Sequence, residues 1–319
     1  MSNKPAGLSH DALWPRAGGW PAPDEIAPGK RIDAALVGIP ASQTSLSATN
    51  AHETPDAIRA ALYRYSPALM QDRGVLDKNL RNDPAIIDLE ELTVADFGNV
   101  SDPDSPAGEA RTIALMADAA KASELVIALG GDNSITVAAA LGVWGSDLET
   151  AGLITLDAHY DLRDGVSNGS PVRRLIEAGM NPERIVQIGI QDFANSASYA
   201  RRAQEFGITV IHRDDLERRS MAEVMAEALS IAGSAGGPIH VDLDVDVCDR
   251  AVAPACPASV PGGISAFELR QAARAAGKHS QVHSIDLAEI DATMDTPDGR
   301  TIRLAALCVL EAVAGLSQR

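Results

Sequence analysis

Short apolar runs of strand length alternate with amphipathic stretches along nearly the whole chain, and few architectures satisfy that pattern. The runs fall at residues 32–38, 85–88, 125–129, 152–157, 185–189, 208–212, 239–246 and 282–287. Helical spacing between most of them covers 55–65, 108–121, 196–206, 221–232 and 266–276. Strand then helix, repeated, implies a parallel sheet whose two faces are both covered by helices. Ser265 with Glu268 forms a capping box that opens one helix, and Ser170 with Pro171 places proline at the first position of another. Residues 1–30, with Trp14, Pro15, Gly18, Gly19, Trp20, Pro21 and Pro23, read as a surface-hugging arm. No repeat and no linker divides residues 31–319, which are expected to form one domain.

In such a sheet, ligands bind beyond the carboxyl ends of the strands. Three of those ends are unusual: GGDNS at 130–134, DAHYD at 157–161 and HVDLDVDVCD at 240–249. Asp242, Asp244 and Asp246 alternate along an apolar run, so on an extended strand all three carboxylates leave one face while Val241, Leu243, Val245 and Val247 bury on the other. Carboxylates at that spacing repel, and either a cation neutralises them or one of them holds a proton. DAHYD directs Asp157, His159 and Asp161 to one side in the same way. By itself it is also compatible with a salt-linked loop. Two strand ends offering five or six ligands instead point to a metal, and carboxylate with imidazole suits manganese, iron, nickel or zinc better than calcium or magnesium.

Composition narrows the partners. The chain has 319 residues, 45% hydrophobic and 22% charged, with no apolar run long enough for a membrane span and no basic segment leading into an apolar one at the N-terminus. Its three cysteines, Cys248, Cys256 and Cys308, are too few and too scattered for a disulfide framework, so a reducing cytoplasm is expected. A formal net charge of −17 disfavours nucleic acid and anionic membrane surfaces, leaving small molecules and cations.

The ordered set GGDNS, DAHYD, DLDVDVCD (242–249) with PGG (261–263), and LAEID (287–291) resembles the signature motifs of the ureohydrolases, which include arginase, agmatinase, guanidino-acid hydrolases and formimidoylglutamase. The resemblance runs from about residue 32 to the C-terminal helix. It implies a three-layer αβα fold around a mostly parallel eight-stranded sheet, a trimer or hexamer, and two manganese ions bridged by hydroxide. By position, Asp157 and Asp244 would bridge both metals. His159 and Asp246 would complete one site, and Asp161, with Asn133, would serve the other. Asp161 would also orient the hydroxide and carry its proton to the leaving nitrogen, while Glu289 would face the amidine or guanidine group. Asp242 and Asp249 are expected behind these ligands as hydrogen-bond acceptors.

Two departures bear on activity. Asn133 stands where the family has a metal-binding histidine, so that site should bind more weakly, and a metal-depleted, non-catalytic member is one alternative. Asp242 stands where the family has a small hydroxyl residue, and either compensates for the missing histidine or accepts hydrogen bonds behind the ligands. Asn168 stands where arginase and agmatinase have a proton-shuttling histidine, and an amide cannot shuttle protons. That loss, with the segments at 193–203 and 298–306, resembles formimidoylglutamase. Formimidoylglutamate would need carboxylates at its amidine end and donors at its other end, where Asn168, Ser170, Arg163 and Arg173 or Arg174 are candidates. The alternative activity is an agmatinase or guanidino-acid hydrolase that releases urea. His10, His52, His212, His240, His279 and His283 carry no motif, and the cysteines read as buried free thiols.

Overall fold

The structure, a computed structural model, describes residues 8–70 and 86–319. In chain order its strands are β1 (Ile32–Ile39), β2 (Ala68–Met70), β3 (Ile86–Asp88), β4 (Val94–Asn99), β5 (Ser123–Gly130), β6 (Gly152–Leu156), β7 (Ile185–Ile190), β8 (Thr209–His212), β9 (Ile239–Asp244) and β10 (Val282–Ala288). The main helices are α1 (Thr54–Leu62), α2 (Pro106–Ala122), α3 (Ile135–Trp144), α4 (Pro171–Glu177), α5 (Ala197–Phe206), α6 (Met221–Ala232), α7 (Ala266–Lys278) and α8 (Arg300–Leu316). Eight strands form one sheet in the order β4-β1-β5-β10-β9-β6-β7-β8, and every pairing in it is parallel.

Helices cover both faces, as the alternation requires. α1, α6, α7 and α8 build one apolar layer, and α2, α3, α4 and α5 build the other. The central strands β6, β7 and β9 are buried at every position, because each has helices above and below it. In the described part of the arm, Ala17 N donates to Tyr65 O at 2.8 Å, and Pro21 O accepts from Asp96 N at 2.9 Å at the β4 edge. Among the described residues no helix is long and apolar enough to cross a membrane.

The structure corrects three expectations. The run at 85–88 does not join the main sheet: Ala85 lies outside the described residues, and the rest, β3, pairs antiparallel with β2. The eighth strand is β4, whose sequence VADFGN breaks its alternation with Asp96 and Gly98. That break is tolerated at a sheet edge, where Arg59 holds Asp96 through Nε at 2.7 Å and Nη2 at 2.8 Å. The run at 239–246 stops being a strand at Asp244. The Asp244 side chain accepts Asp246 N at 3.0 Å and turns the chain into a short 3-10 helix over Val245–Val247. α3 had no amphipathic signature, since ITVAAALGVW is apolar on every side and almost wholly buried.

α7 and α8 approach each other backbone to backbone. A Cβ at Gly277 would stand 2.1 Å from Ala312 O. Glycine to alanine in a helix interior ordinarily stabilises by about 1 kcal/mol. Here the overlap reverses the sign, so Gly277→Ala should lower stability by roughly 1–3 kcal/mol in chemical denaturation. A raised midpoint would show that the two helices can separate at no cost.

Candidate active site

Four adjacent strands at the centre of the sheet, β5, β10, β9 and β6, deliver the polar residues at their carboxyl ends. Asn133 follows β5, Glu289 follows β10, Asp244 ends β9 with Asp246 on the turn beyond, and Asp157, His159 and Asp161 follow β6. Two groups of side chains bring their ligand atoms within 4.8 Å of one another: Asp157, His159 and Asp246, and Asp157, Asp161 and Asp244. Asp157 belongs to both. One of its oxygens, Oδ1, accepts His159 N at 2.7 Å, while Oδ2 is buried without a protein partner. His159 Nδ1 lies 3.1 Å from Asp246 Oδ2 and 3.3 Å from Asp157 Oδ1.

So many acids in one dry place perturb each other. Burial, reinforced by the Asp246 charge, raises Asp157 to about 6 and Glu289 to about 7. Asp161 and Asp244 are also pushed well above the usual carboxylate range, first by burial and then by neighbouring carboxylates. Burial alone would lower His159, but Asp246 and Asp157 overcome it and raise the imidazole to about 12. Burial also works against ionised Asp246, yet His159 holds that carboxyl below its ordinary value. A cluster with one cation and several acids is a site built for more positive charge than the protein itself supplies. An orphaned carboxylate oxygen, four aspartates and an imidazole fit a pair of divalent transition ions sharing Asp157.

The two asparagines both act on the acids. Asn133 Nδ2 donates to Asp161 Oδ2 at 2.6 Å, its Oδ1 accepts from Thr136 Oγ1 at 2.9 Å, and its backbone N donates to Glu289 Oε2 at 3.0 Å. Asn168 Nδ2 donates to both oxygens of Glu289 at 3.0 Å. Asp161 and Glu289 hold their positions at φ +52° and +64°, a left-handed conformation that costs a residue with a Cβ about 1 kcal/mol or more.

A cavity of about 240 Å³ opens over the acids. His159, Asp161, Asp244, Asp246 and Glu289 line it, together with Asn168 and Arg163. Arg163 is its one lining residue of permanent positive charge, and no described carboxylate pairs with it. Other sequence candidates lie elsewhere. Ser170 is fully buried and bonds Ser167, donating to its O at 2.8 Å and accepting from its N at 3.0 Å. Arg173 ties down its own loop through Arg163 O and Gly165 O and pairs with Glu177, while Arg174 pairs with Glu109. Asp249 caps the turn that follows β9, accepting from Ala251 N and Gly262 N at 2.7 Å, and touches no ligand.

Asp242 belongs to neither ligand group. It faces Asp286 across the β9–β10 register, and burial followed by the Asp286 charge raises it well above its ordinary range. His240, which carries no motif, proves fully buried below the site, bonding Ser284 Oγ at 2.7 Å and Asp286 Oδ2 at 3.1 Å. Asn195 was also missed. Its Oδ1 accepts Tyr160 N at 3.1 Å and its Nδ2 donates to Ala158 O at 2.8 Å, pinning DAHYD from outside. Only its place within the segment at 193–203 hinted at a role.

The raised carboxylates and His159 all bind protons more tightly in the folded than in the unfolded chain, so metal-free protein should lose stability as pH rises from about 4.5 through 7. Divalent ions held by the cluster replace those protons. Thermal melts at pH 5, 6 and 7.5, with chelator or with manganese, should therefore show a gap in Tm that widens with pH. A gap that is constant or shrinks would dissociate these acids from any bound ion.

Comparison with known proteins places this geometry in a family. The arginase-family model matches residues 32–315. Formimidoylglutamase from Halalkalibacterium halodurans is 34% identical over 297 residues, covering 90% of this chain and 88% of that protein. The crystal structure of formimidoylglutamase from Bacillus subtilis superposes with a TM-score of 0.83 at 26% identity, covering 98% of this chain and 95% of that one. Formiminoglutamase from Trypanosoma cruzi, solved with Mn2+, shares the fold with a TM-score of 0.77 at 22% identity, covering 90% and 94%. With its parallel eight-stranded sheet, its two acid groups meeting at Asp157 and this match along nearly its whole length, the chain belongs to the arginase family.

Proposed function

We propose that the protein hydrolyses the formamidine C–N bond of formimidoylglutamate, releasing formamide and glutamate, with two manganese ions as cofactor. The observation that carries this reading is the bipolar cavity: buried acids line it on one side, and Arg163, which no described carboxylate pairs with, lines it too. An amidinium at one end of the substrate suits Glu289, and a carboxylate at the other suits Arg163. Agmatine carries no carboxylate and would set its second cation against Arg163. The likeness to formimidoylglutamases over about nine-tenths of the chain supports the same choice.

Asp157, His159 and Asp246 would hold one ion, and Asp157, Asp161 and Asp244 the other, beside Asn133. Manganese bound there would act as a Lewis acid and make hydroxide available near neutral pH. Glu289, fixed by Asn133 N and both of its bonds from Asn168, orients the amidinium. Asp161 has one oxygen committed to Asn133 and one left to carry a proton from the attacking water to the departing nitrogen. The water oxygen ends in formamide, and the glutamate amine leaves with that proton. Asn168 serves here as a clamp, a role that requires no titration.

After incubation with manganese, the protein should release formamide and glutamate from formimidoylglutamate and no urea from agmatine. Urea from a guanidino acid, without formamide, would replace this substrate assignment. Asp246→Ala should abolish both this activity and the uptake of at least one ion, read by elemental analysis. Asn133→His exchanges an amide bonded to Asp161 for an imidazole ligand, so the variant should retain more manganese through dialysis than the wild type. Equal retention would mean that position 133 does not touch the ion.

A further inference from the structure

Arg163 is held at several points, and none of them is a carboxylate. Its guanidinium carbon lies 5.9 Å from the centroid of the Tyr199 ring. The same ring receives Arg202 at 5.7 Å, and Arg202 is itself fixed by Leu162 O at 2.7 Å and Asp164 Oδ1 at 2.8 Å. Asp164 neutralises Arg202, which leaves Arg163 as the ring's uncompensated cation. Gly169 gives the stem of Arg163 its room: a Cβ there would fall 2.7 Å from Arg163 Cδ and 3.1 Å from both Arg163 Nε and Leu46 Cδ1. Arg163 N donates to Gly169 O at 2.9 Å, so backbone and side chain are held against the same residue.

The ring is anchored as well. Tyr199 lies in the first turn of α5, where Ser196 Oγ accepts Tyr199 N at 3.3 Å, and the preceding Asn195 bonds the backbone of Ala158 and Tyr160. A chain of contacts thus runs from the end of β6, through the start of α5, back to the guanidinium in the cavity wall. An arginine on an exposed loop surrenders rotamer freedom when it binds a carboxylate, and one already stacked surrenders less.

We propose that Tyr199 is a positioning residue that holds the Arg163 guanidinium for the substrate's carboxylate, and so sets a preference for carboxylate-bearing over carboxylate-free amidines. This rests on the bipolar reading of the cavity given above. The test is L-glutamate binding to the manganese-loaded protein by calorimetry, together with turnover of formimidoylglutamate and of N-propylformamidine, which lacks carboxylates. Tyr199→Phe keeps the ring and should bind L-glutamate within about twofold of wild type, whereas Tyr199→Leu and Gly169→Ala should each weaken it about tenfold or more. In turnover, Tyr199→Leu should raise KM for formimidoylglutamate about tenfold with kcat held within about threefold, and should move KM for N-propylformamidine far less. The proposal is overturned if the wild type does not bind L-glutamate, if Tyr199→Leu binds it as the wild type does, or if both substrates suffer equally. L-glutamate binding that depends on Tyr199, without formamide release by the wild type, would uphold the positioning role and discard the reaction assigned above.

Discussion

Repulsion among buried carboxylates is the constraint on which this structure turns. Asp157, Asp161, Asp244, Asp246 and Glu289 converge where water is scarce, and His159 is the one side chain among them that answers with positive charge. Such an arrangement does not hold itself together. It is imposed by strands that are buried on both faces, by left-handed backbone at Asp161 and Glu289, and by amide donors from Asn133 and Asn168. The apolar layers on both sides of the sheet thereby offset the cost of a site that local interactions would scatter.

The parts of this site that are legible in the sequence are those in which chemistry and chain order coincide. Asp157, His159 and Asp161 lie within five residues of one another, and a strand end explains their convergence without tertiary knowledge. The parallel sheet is equally plain, because helical stretches lie between most of the apolar runs. Tertiary rescue is what remained hidden. β4 breaks its own alternation and survives at the edge by pairing Asp96 with Arg59, and Asp246 joins the cluster from a turn that begins where its N donates to the Asp244 side chain. Ser170 and Arg173 have the right chemistry for a substrate carboxylate, but hydrogen bonds to nearby backbone consume it. Nothing in residue type separates Arg173 from Arg163, which no described carboxylate pairs with and which lies against Gly169 and the Tyr199 ring.

Asp242 illustrates the same limit from the opposite side. Its place in an alternating aspartate run suggested a ligand or a substitute for the absent histidine. In the fold it lies one step below the ligands, where a neighbouring strand sets Asp286 opposite it and His240 bonds Asp286 in turn. His240, two residues earlier in the same strand, thus reaches the partner of Asp242 and not Asp242 itself. The pair extends the polar column beneath the site towards Trp144, whose indole meets the His240 ring edge-on at 6.3 Å.

Asn168 joins two things that could otherwise move separately. Its Nδ2 holds Glu289, its Oδ1 accepts Leu46 N at 2.9 Å, and its own backbone N donates to Thr44 O at 3.3 Å. Leu46 lines the cavity from a loop that comes before all of the acidic motifs in the chain. Asn168 therefore ties the position of Glu289 to that wall of the cavity. An amide cannot pass protons, but here its donor and its acceptor are both engaged, one by Glu289 and the other by Leu46. In this chain Asn168 is a pin between a buried acid and the lip of the cavity.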